Sequence, residues 1–411
     1  MTKQIHWAWV ILIASFATVF TYYSIRLGYG ILMPEMIVSL KITKAEAGSI
    51  ASSFFIAYII FVPLLGYLID RINARLLVAL FSCILATGTF LMGKPETLLQ
   101  ACLSFFIVGV GGSAMWTPVV TLVQRWFAAN HRGMALGIMS IGYAIGYGLM
   151  GLILPPLTAR YGWRACWFIL SVPAFALVLL NSLLIRTRPQ DLNLTAWGDK
   201  PFLAPEGHFV VNREKIPYAK LLRFRNFWLG GISYFFIAYA AYVVNLFIVT
   251  YGNLELKFSF AQAAQLASAI AFSGLPGALL FPILSDFIGR KKCVIIINAS
   301  LAFSILLIIW AGNHRSALFI AACIYGVFYA AVWPMYAAAA ADFFPRDATG
   351  SVLGLWTIFY GLALILAPAA GGYIADVTGT LFYSFLTGII SGTLATFIFL
   401  PVKKFKEPLP N

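Results

Sequence analysis

Arg26 is the residue of this chain whose chemistry most needs an explanation. It lies in TYYSIRLGYGILM, Thr21 to Met33, inside an apolar run that starts at Trp7. A guanidinium stays charged at every physiological pH. Near mid-bilayer it costs at least ~2.5–3.5 kcal/mol on insertion scales, so it should face protein or water rather than lipid. The chemistry on offer is anion binding, because the planar fork donates two parallel hydrogen bonds to a carboxylate. The structural alternative is an Arg tied to backbone carbonyls or to its neighbouring tyrosines.

Polar and aromatic residues in other apolar runs are candidates to complete such a site. Tyr22 and Tyr23 share the run of Arg26, Trp116 and Thr117 precede Pro118, and Ser140, Tyr143 and Tyr147 recur on one helical face. Further on come Tyr239, Tyr242 and Asn245, then Ser273, then Tyr325, Tyr329, Trp333 and Tyr336 at spacings of 4, 4 and 3, then Trp356 and Tyr360. The spacing of Tyr325 to Tyr336 predicts a single face. Transmembrane aromatics also pack structurally or form interfacial belts. One cation, many aromatics and few acids suit an anion with an apolar body, a short or aromatic monocarboxylate rather than a sugar.

No acid compensates Arg26 within the apolar runs. All 14 Asp and Glu fall in connecting segments or at run ends, and so do the four histidines. Glu35 is nine residues after Arg26, which at 1.5 Å per residue is roughly 13 Å. A monoanion would neutralise Arg26 and let the loaded state rearrange more cheaply than the empty one, which favours exchange or facilitated transport, with proton symport as the other possibility. No His, Cys, Asp or Glu set has metal-ligand spacing, the five cysteines read as packing residues, and neither metal nor cofactor is expected. No catalytic constellation can be assembled, so the chain is not expected to be an enzyme.

The elements that position these residues follow from composition. Of 411 residues, 61% are apolar and 10% charged, where soluble domains carry about 25% charged residues. Twelve apolar runs lie near 7–33, 46–69, 76–93, 97–123, 133–158, 163–185, 227–251, 261–284, 292–312, 315–341, 349–374 and 380–401. Each is near the ~20 residues that span a bilayer. The expectation is an all-α polytopic membrane protein of twelve transmembrane helices in two pseudo-symmetric six-helix bundles, 1–185 and 227–411, joined by a linker at 186–226. The net charge of +14 sits in short connections, where Lys and Arg set topology, so nucleic acid is not an expected partner. Counting them puts both termini on the cytoplasmic side of a multi-pass cell (plasma or inner) membrane. Glycine-rich stretches such as GVGGSA (Gly109 to Ala114) and GYAIGYG (Gly142 to Gly148) lie inside helical runs. They read as close helix contacts, not phosphate loops.

The halves repeat. GYLIDRINAR (Gly66 to Arg75) recurs as PILSDFIGRKK, placing Asp286 216 residues after Asp70; Trp333 follows Trp116 by 217, and Gly354 follows Gly137 by 217. By the same offset of 216, Tyr242 corresponds to Arg26. Repeated halves place a substrate site near the midplane between them.

GYLIDRINAR resembles the helix 2–3 signature of the major facilitator superfamily, with Asn73 where Gly is usual. Within that superfamily, RWFAANHRGMALGIMSIGYAIG (Arg125 to Gly146), RTRPQDLNL after the sixth run and LPGALLFPILSDFIGRKK are most similar to the monocarboxylate and oxalate–formate carriers. The resemblance implies the major facilitator fold, alternating access and a helix 1 basic residue matching Arg26. It also implies a basic helix 8 position and a nearby acid, occupied here by Ala278 and Gly274, which leaves the anion to Arg26. Asp70, Arg71 and Arg75, with Asp286 and Arg290, would be gating parts: Asp70 caps a helix N-terminus and pairs with a nearby Arg in the outward-open state.

The expectation is therefore a monomeric transporter that moves a small organic monoanion, with or without a proton, through the bilayer. The rivals are a drug or cation efflux antiporter, which would want a membrane-embedded acid, and a non-transporting nutrient sensor.

Overall fold

The computed structural model describes residues 6–68, 73–199, 221–345 and 348–403, with the backbone alone at 66 and 67. The all-α architecture expected from the apolar runs is present. Its helices are α1 Trp7–Leu40, α2 Lys44–Leu68, α3 Ala74–Leu91, α4 Leu98–Gly112, α5 Thr117–Trp126, α6 Arg132–Leu184, α7 Arg225–Thr250, α8 Phe260–Ile288, α9 Arg290–Ala311, α10 Arg315–Phe343, α11 Thr349–Thr378 and α12 Leu381–Phe399.

Among the described residues, eleven continuous helical stretches are long and apolar enough to cross a membrane, one fewer than the apolar runs. The difference lies in α6, whose 53 residues would extend roughly 80 Å, far beyond a ~30 Å hydrocarbon layer. Gly162 interrupts it with φ 79° and ψ 162°, a conformation open to glycine and strained for residues with a Cβ. The fifth and sixth apolar runs lie on either side of that turn. The fourth run is also broken: α4 ends at Gly112 and α5 begins at Thr117 with Pro118 in its first turn.

The chain divides into two compact units, residues 1–42 with 49–206 and residues 43–48 with 207–411. In the first unit, Ser24 on α1 donates to the Gly146 carbonyl on α6 (3.2 Å). A buried polar knot ties three helices: Thr18 on α1 donates to Asn181 Oδ1 on α6 (3.1 Å), and Asn181 Nδ2 donates to Ser82 Oγ on α3 (3.0 Å). The segment after α6, expected to be linker, is partly built into this unit. Residues 186–199 form a strap whose Trp197 lies against Trp9, Phe127 and His131 at 5.1, 5.7 and 4.7 Å between ring centroids.

The second unit has its own polar knot. Ser233 on α7 bonds Tyr336 Oη on α10 (2.6 Å) and donates to the Ala395 carbonyl on α12 (2.8 Å), while Asn298 Nδ2 on α9 donates to Tyr336 Oη (2.9 Å). Residues 43–48 belong to this unit. Asp376 accepts from the backbone N–H groups of Lys44 and Ala45 (3.0 and 2.7 Å), satisfying donors of the first turn of α2. Glu255 accepts from Lys44 Nζ (2.7 Å), Thr380 Oγ1 (2.8 Å) and the Leu381 N–H (2.8 Å).

Candidate anion-binding site

Arg26 lies near the middle of α1 and is half-buried. Its Nη1 donates to Tyr22 Oη at 3.3 Å, one helical turn back. Four aromatic rings surround its guanidinium carbon: Phe55 at 5.0 Å, Tyr23 at 5.5 Å, Phe54 at 5.7 Å and Tyr22 at 6.0 Å from the ring centroids. At ~6 Å or less, ring faces attract a cation through their quadrupoles. The rings and the Tyr22 hydroxyl therefore hold the positive charge in a largely aromatic surrounding.

The sequence-expected residues of the first unit converge here. Tyr22 and Tyr23 have ring centroids 4.7 Å apart; Tyr23 meets Trp116 at 6.0 Å and Tyr143 at 4.7 Å, both edge-on. Trp116 is set in place by the break between α4 and α5, where it is the N-cap residue of α5. Discontinuous helices recur at substrate sites in transporters. Thr117, by contrast, is exposed at the start of α5. Phe54 and Phe55 of α2 complete the cage and escaped the sequence reading. Both are buried, yet an aromatic pair in an apolar run has no local feature separating a cage wall from a lipid-facing or core position.

Close approach fixes the ring nearest the guanidinium. A Cβ placed on Gly112 would lie 2.7 Å from Tyr22 Cε2. Gly112→Val is expected to displace the Tyr22 ring and to weaken anion binding while Arg26 is retained, with an overpacking cost of about 1–3 kcal/mol. Ligand titration alongside thermal unfolding of the same variant checks this; unchanged affinity would place Tyr22 outside the site.

In the second unit the expected residues divide. Asn245 is 3% exposed, and its Nδ2 has no hydrogen bond among the described residues, an arrangement rare enough in folded proteins to ask for a ligand or a water. Tyr242 is buried on the same helix. Tyr234, eleven residues before Asn245 and so on nearly the same face of α7, stacks on Tyr336 at 4.4 Å and contacts Tyr360 at 5.0 Å. It was missed by sequence reading, although that spacing was a usable signal. Tyr329 stacks on Tyr325 at 5.7 Å.

Three further expected positions have these surroundings. Trp356 is fully buried, with Nε1 donating to the Phe227 carbonyl (2.9 Å), so it joins α11 to α7. Ser273 bonds the Ile270 carbonyl of its own helix (3.3 Å). Trp333 is 45% exposed while Tyr325 and Tyr336 are buried. Each step of four residues advances 40° around a helix, so the expected single face of α10 turns away by Trp333 and returns at Tyr336.

Of the gating residues, Asp70 and Arg71 lie outside the described residues. Arg75 Nε donates to the Ser182 carbonyl. Asn73 caps α3, accepting from the Arg75 N–H (2.9 Å) and from Thr187 Oγ1 (2.8 Å). That cap gives Asn73 a use where the superfamily signature has glycine. Asp286 pairs with Arg290 four residues on, across the α8–α9 turn, and Arg290 also donates to the Pro282 carbonyl (2.9 Å).

Comparison with known proteins follows the same outline. The Major Facilitator Superfamily profile matches residues 11–285 and 231–411. The chain belongs to this superfamily. It is a multi-pass membrane protein of a transporter family, not an enzyme family. A probable hexose phosphate transport protein of Chlamydia muridarum is 26% identical over 95% of this chain and 90% of its own length. The hexuronate transporter of Bacillus subtilis is 24% identical over 97% and 94%. The membrane sensor protein UhpC of Escherichia coli is 24% identical over 94% and 90%. Among solved structures, a mutant of the nucleoside transporter NupG shares the fold, with a TM-score of 0.79 and 16% identity over 95% of this chain and 99% of that one. The superfamily stands, and these relatives are named for hexose phosphate and hexuronate rather than for monocarboxylates; the motifs that suggested the monocarboxylate and oxalate–formate group are shared among neighbouring organic-anion families.

Proposed function

We propose that this protein transports a small organic anion by alternating access, and that the anion is a sugar acid of the hexuronate class. The observation that carries the reading is Arg26, held by Tyr22 in a cage of four rings. One guanidinium matches one carboxylate as a two-bond fork. The names of the relatives, hexose phosphate and hexuronate carriers, favour a hydroxylated body over the apolar one first expected. Tyrosine supports this, since its ring supplies apolar area and its hydroxyl a hydrogen bond. A hexuronate is itself a monocarboxylate, so the monoanion expectation is kept and its body revised. The proposal includes cytoplasmic termini in a plasma or inner membrane, a monomeric carrier, and exchange of one anion for another.

Purified protein in liposomes tests it. Preloaded unlabelled hexuronate should drive counterflow of labelled hexuronate, and aliphatic and aromatic monocarboxylates should compete weakly. Uptake that depends strictly on an inward proton gradient would replace exchange with symport. Competition only by cations would overturn the anion reading in favour of a drug or cation antiporter.

A second reading has a specific observation behind it: UhpC, a relative over nearly the whole chain, is named as a membrane sensor. A sensor would bind the anion, with a rise in melting temperature, yet show no counterflow.

A further inference from the structure

Away from Arg26, the first unit holds a cavity of about 460 Å³ lined by Arg125, Arg132, Arg188, Gln190, Thr195 and Asp199, with Pro189 and Ala196. We propose that it is a binding site for a phosphate group, either a free phosphate or the headgroup of an anionic phospholipid. Three guanidiniums and one carboxylate line it, and Arg is the side chain best matched to a phosphate's oxygens.

The walls are built rather than incidental. Arg125 closes α5 and Arg132 opens α6, while the other lining residues belong to the strap at 186–199. The strap is pinned at both ends. Trp126 Nε1 donates to the Arg186 carbonyl (2.9 Å), the Ala128 N–H donates to the Trp197 carbonyl (3.0 Å), and the Trp197 N–H donates to the Trp126 carbonyl (2.9 Å). Asp191 is committed to its own turn, accepting from the Arg188 N–H (3.0 Å).

Two of the guanidiniums, those of Arg132 and Arg188, keep donors for a ligand. Among the described residues, the recorded bond of the Arg132 side chain is Nε to the Phe127 carbonyl (3.0 Å), which orients the fork and leaves its terminal nitrogens. The Arg188 side chain has no recorded hydrogen bond, and Asp199 forms no ion pair among the described residues. The cavity also meets the start of α6, whose N-cap makes no side-chain hydrogen bond. A helix N-terminus adds partial positive charge that favours an anion. The positive-inside count assigns this face to the cytoplasm, where both phosphate sources are present.

The test compares full-length wild-type protein with Arg188→Gln and Asp199→Asn, two exposed positions outside the proposed transport machinery. Melting temperature is followed as inorganic phosphate is titrated at constant ionic strength, and again in vesicles of phosphatidylcholine alone or with phosphatidylglycerol. Arg26→Ala is carried in parallel so that phosphate entering the Arg26 site is recognised. The expected result is stabilisation in at least one arm, weakened by Arg188→Gln and strengthened by Asp199→Asn, each by about two- to fivefold in midpoint. Response to inorganic phosphate identifies a free phosphate as ligand; response only to phosphatidylglycerol identifies the lipid headgroup. No stabilisation in either arm, or stabilisation indifferent to both charge changes, overturns the proposal.

Discussion

Arg26→Ala abolishes organic-anion binding while the protein still folds: that is the largest expected effect of any single change here. Removing one partner of a hydrogen-bonded charge pair out of bulk water costs about 2–5 kcal/mol, or about 30-fold to several thousand-fold in affinity. The four rings around the guanidinium would remain, and they have no donor geometry to replace its fork. Arg26→Lys is the sharper control. It keeps the charge and loses the planar pair of donors, so it should fall between wild type and Arg26→Ala. Isothermal titration with hexuronate, together with cooperative thermal unfolding of each variant, measures both. Equal affinity for all three proteins would move the site elsewhere and remove the observation on which the proposed substrate class rests.

The second large effect concerns stability. Asn181→Leu cuts two buried hydrogen bonds at once, from Thr18 and to Ser82, and so removes this polar tie of α6 to both α1 and α3. Asn298→Leu cuts the bond to Tyr336 (2.9 Å) and a long one to Ser233 (3.5 Å), but leaves Tyr336 and Ser233 bonded to each other. Thr18 and Ser82 keep bonds to the Ala14 and Val78 carbonyls of their own helices, so the cost is that of the lost bonds, about 0.5–1.5 kcal/mol each. Asn181→Leu should therefore lower the unfolding temperature more than Asn298→Leu, in detergent and without ligand. Unfolding temperatures that match wild type in both variants would mean that apolar packing, not these bonds, holds the helices in register.

The two knots also show how far the internal repeat extends. Ser82 and Asn298 are 216 residues apart, the offset already seen between Asp70 and Asp286. Yet Ser82 accepts a bond from an Asn on α6, whereas Asn298 itself donates to a Tyr on α10. The repeat predicted corresponding helices. It did not predict the bonds, because hydrogen-bond partners depend on which side chains face one another across helices far apart in the chain.

Much of the architecture was legible in the residues. Apolar runs of bilayer length, with charges confined to their ends, leave helices as the way to satisfy backbone groups, and the repeat of GYLIDR and SDFIGR marks two halves. Arg26 was legible for the same reason, since a charge in such a run demands a cause. Tyr22 and Tyr23 were expected beside it because they share its run. Tertiary structure decided the rest. It made one helical stretch of two spans around Gly162, built the strap at 186–199 into the first unit, brought Phe54 and Phe55 of α2 to the guanidinium, and turned Trp356 to the Phe227 carbonyl. A run of apolar residues records that a side chain avoids water; it does not record whether a helix, a lipid or a ligand replaces that water. Only packing between segments distant in sequence settles that choice, so the charge at Arg26 was readable from one helix and its aromatic cage was not.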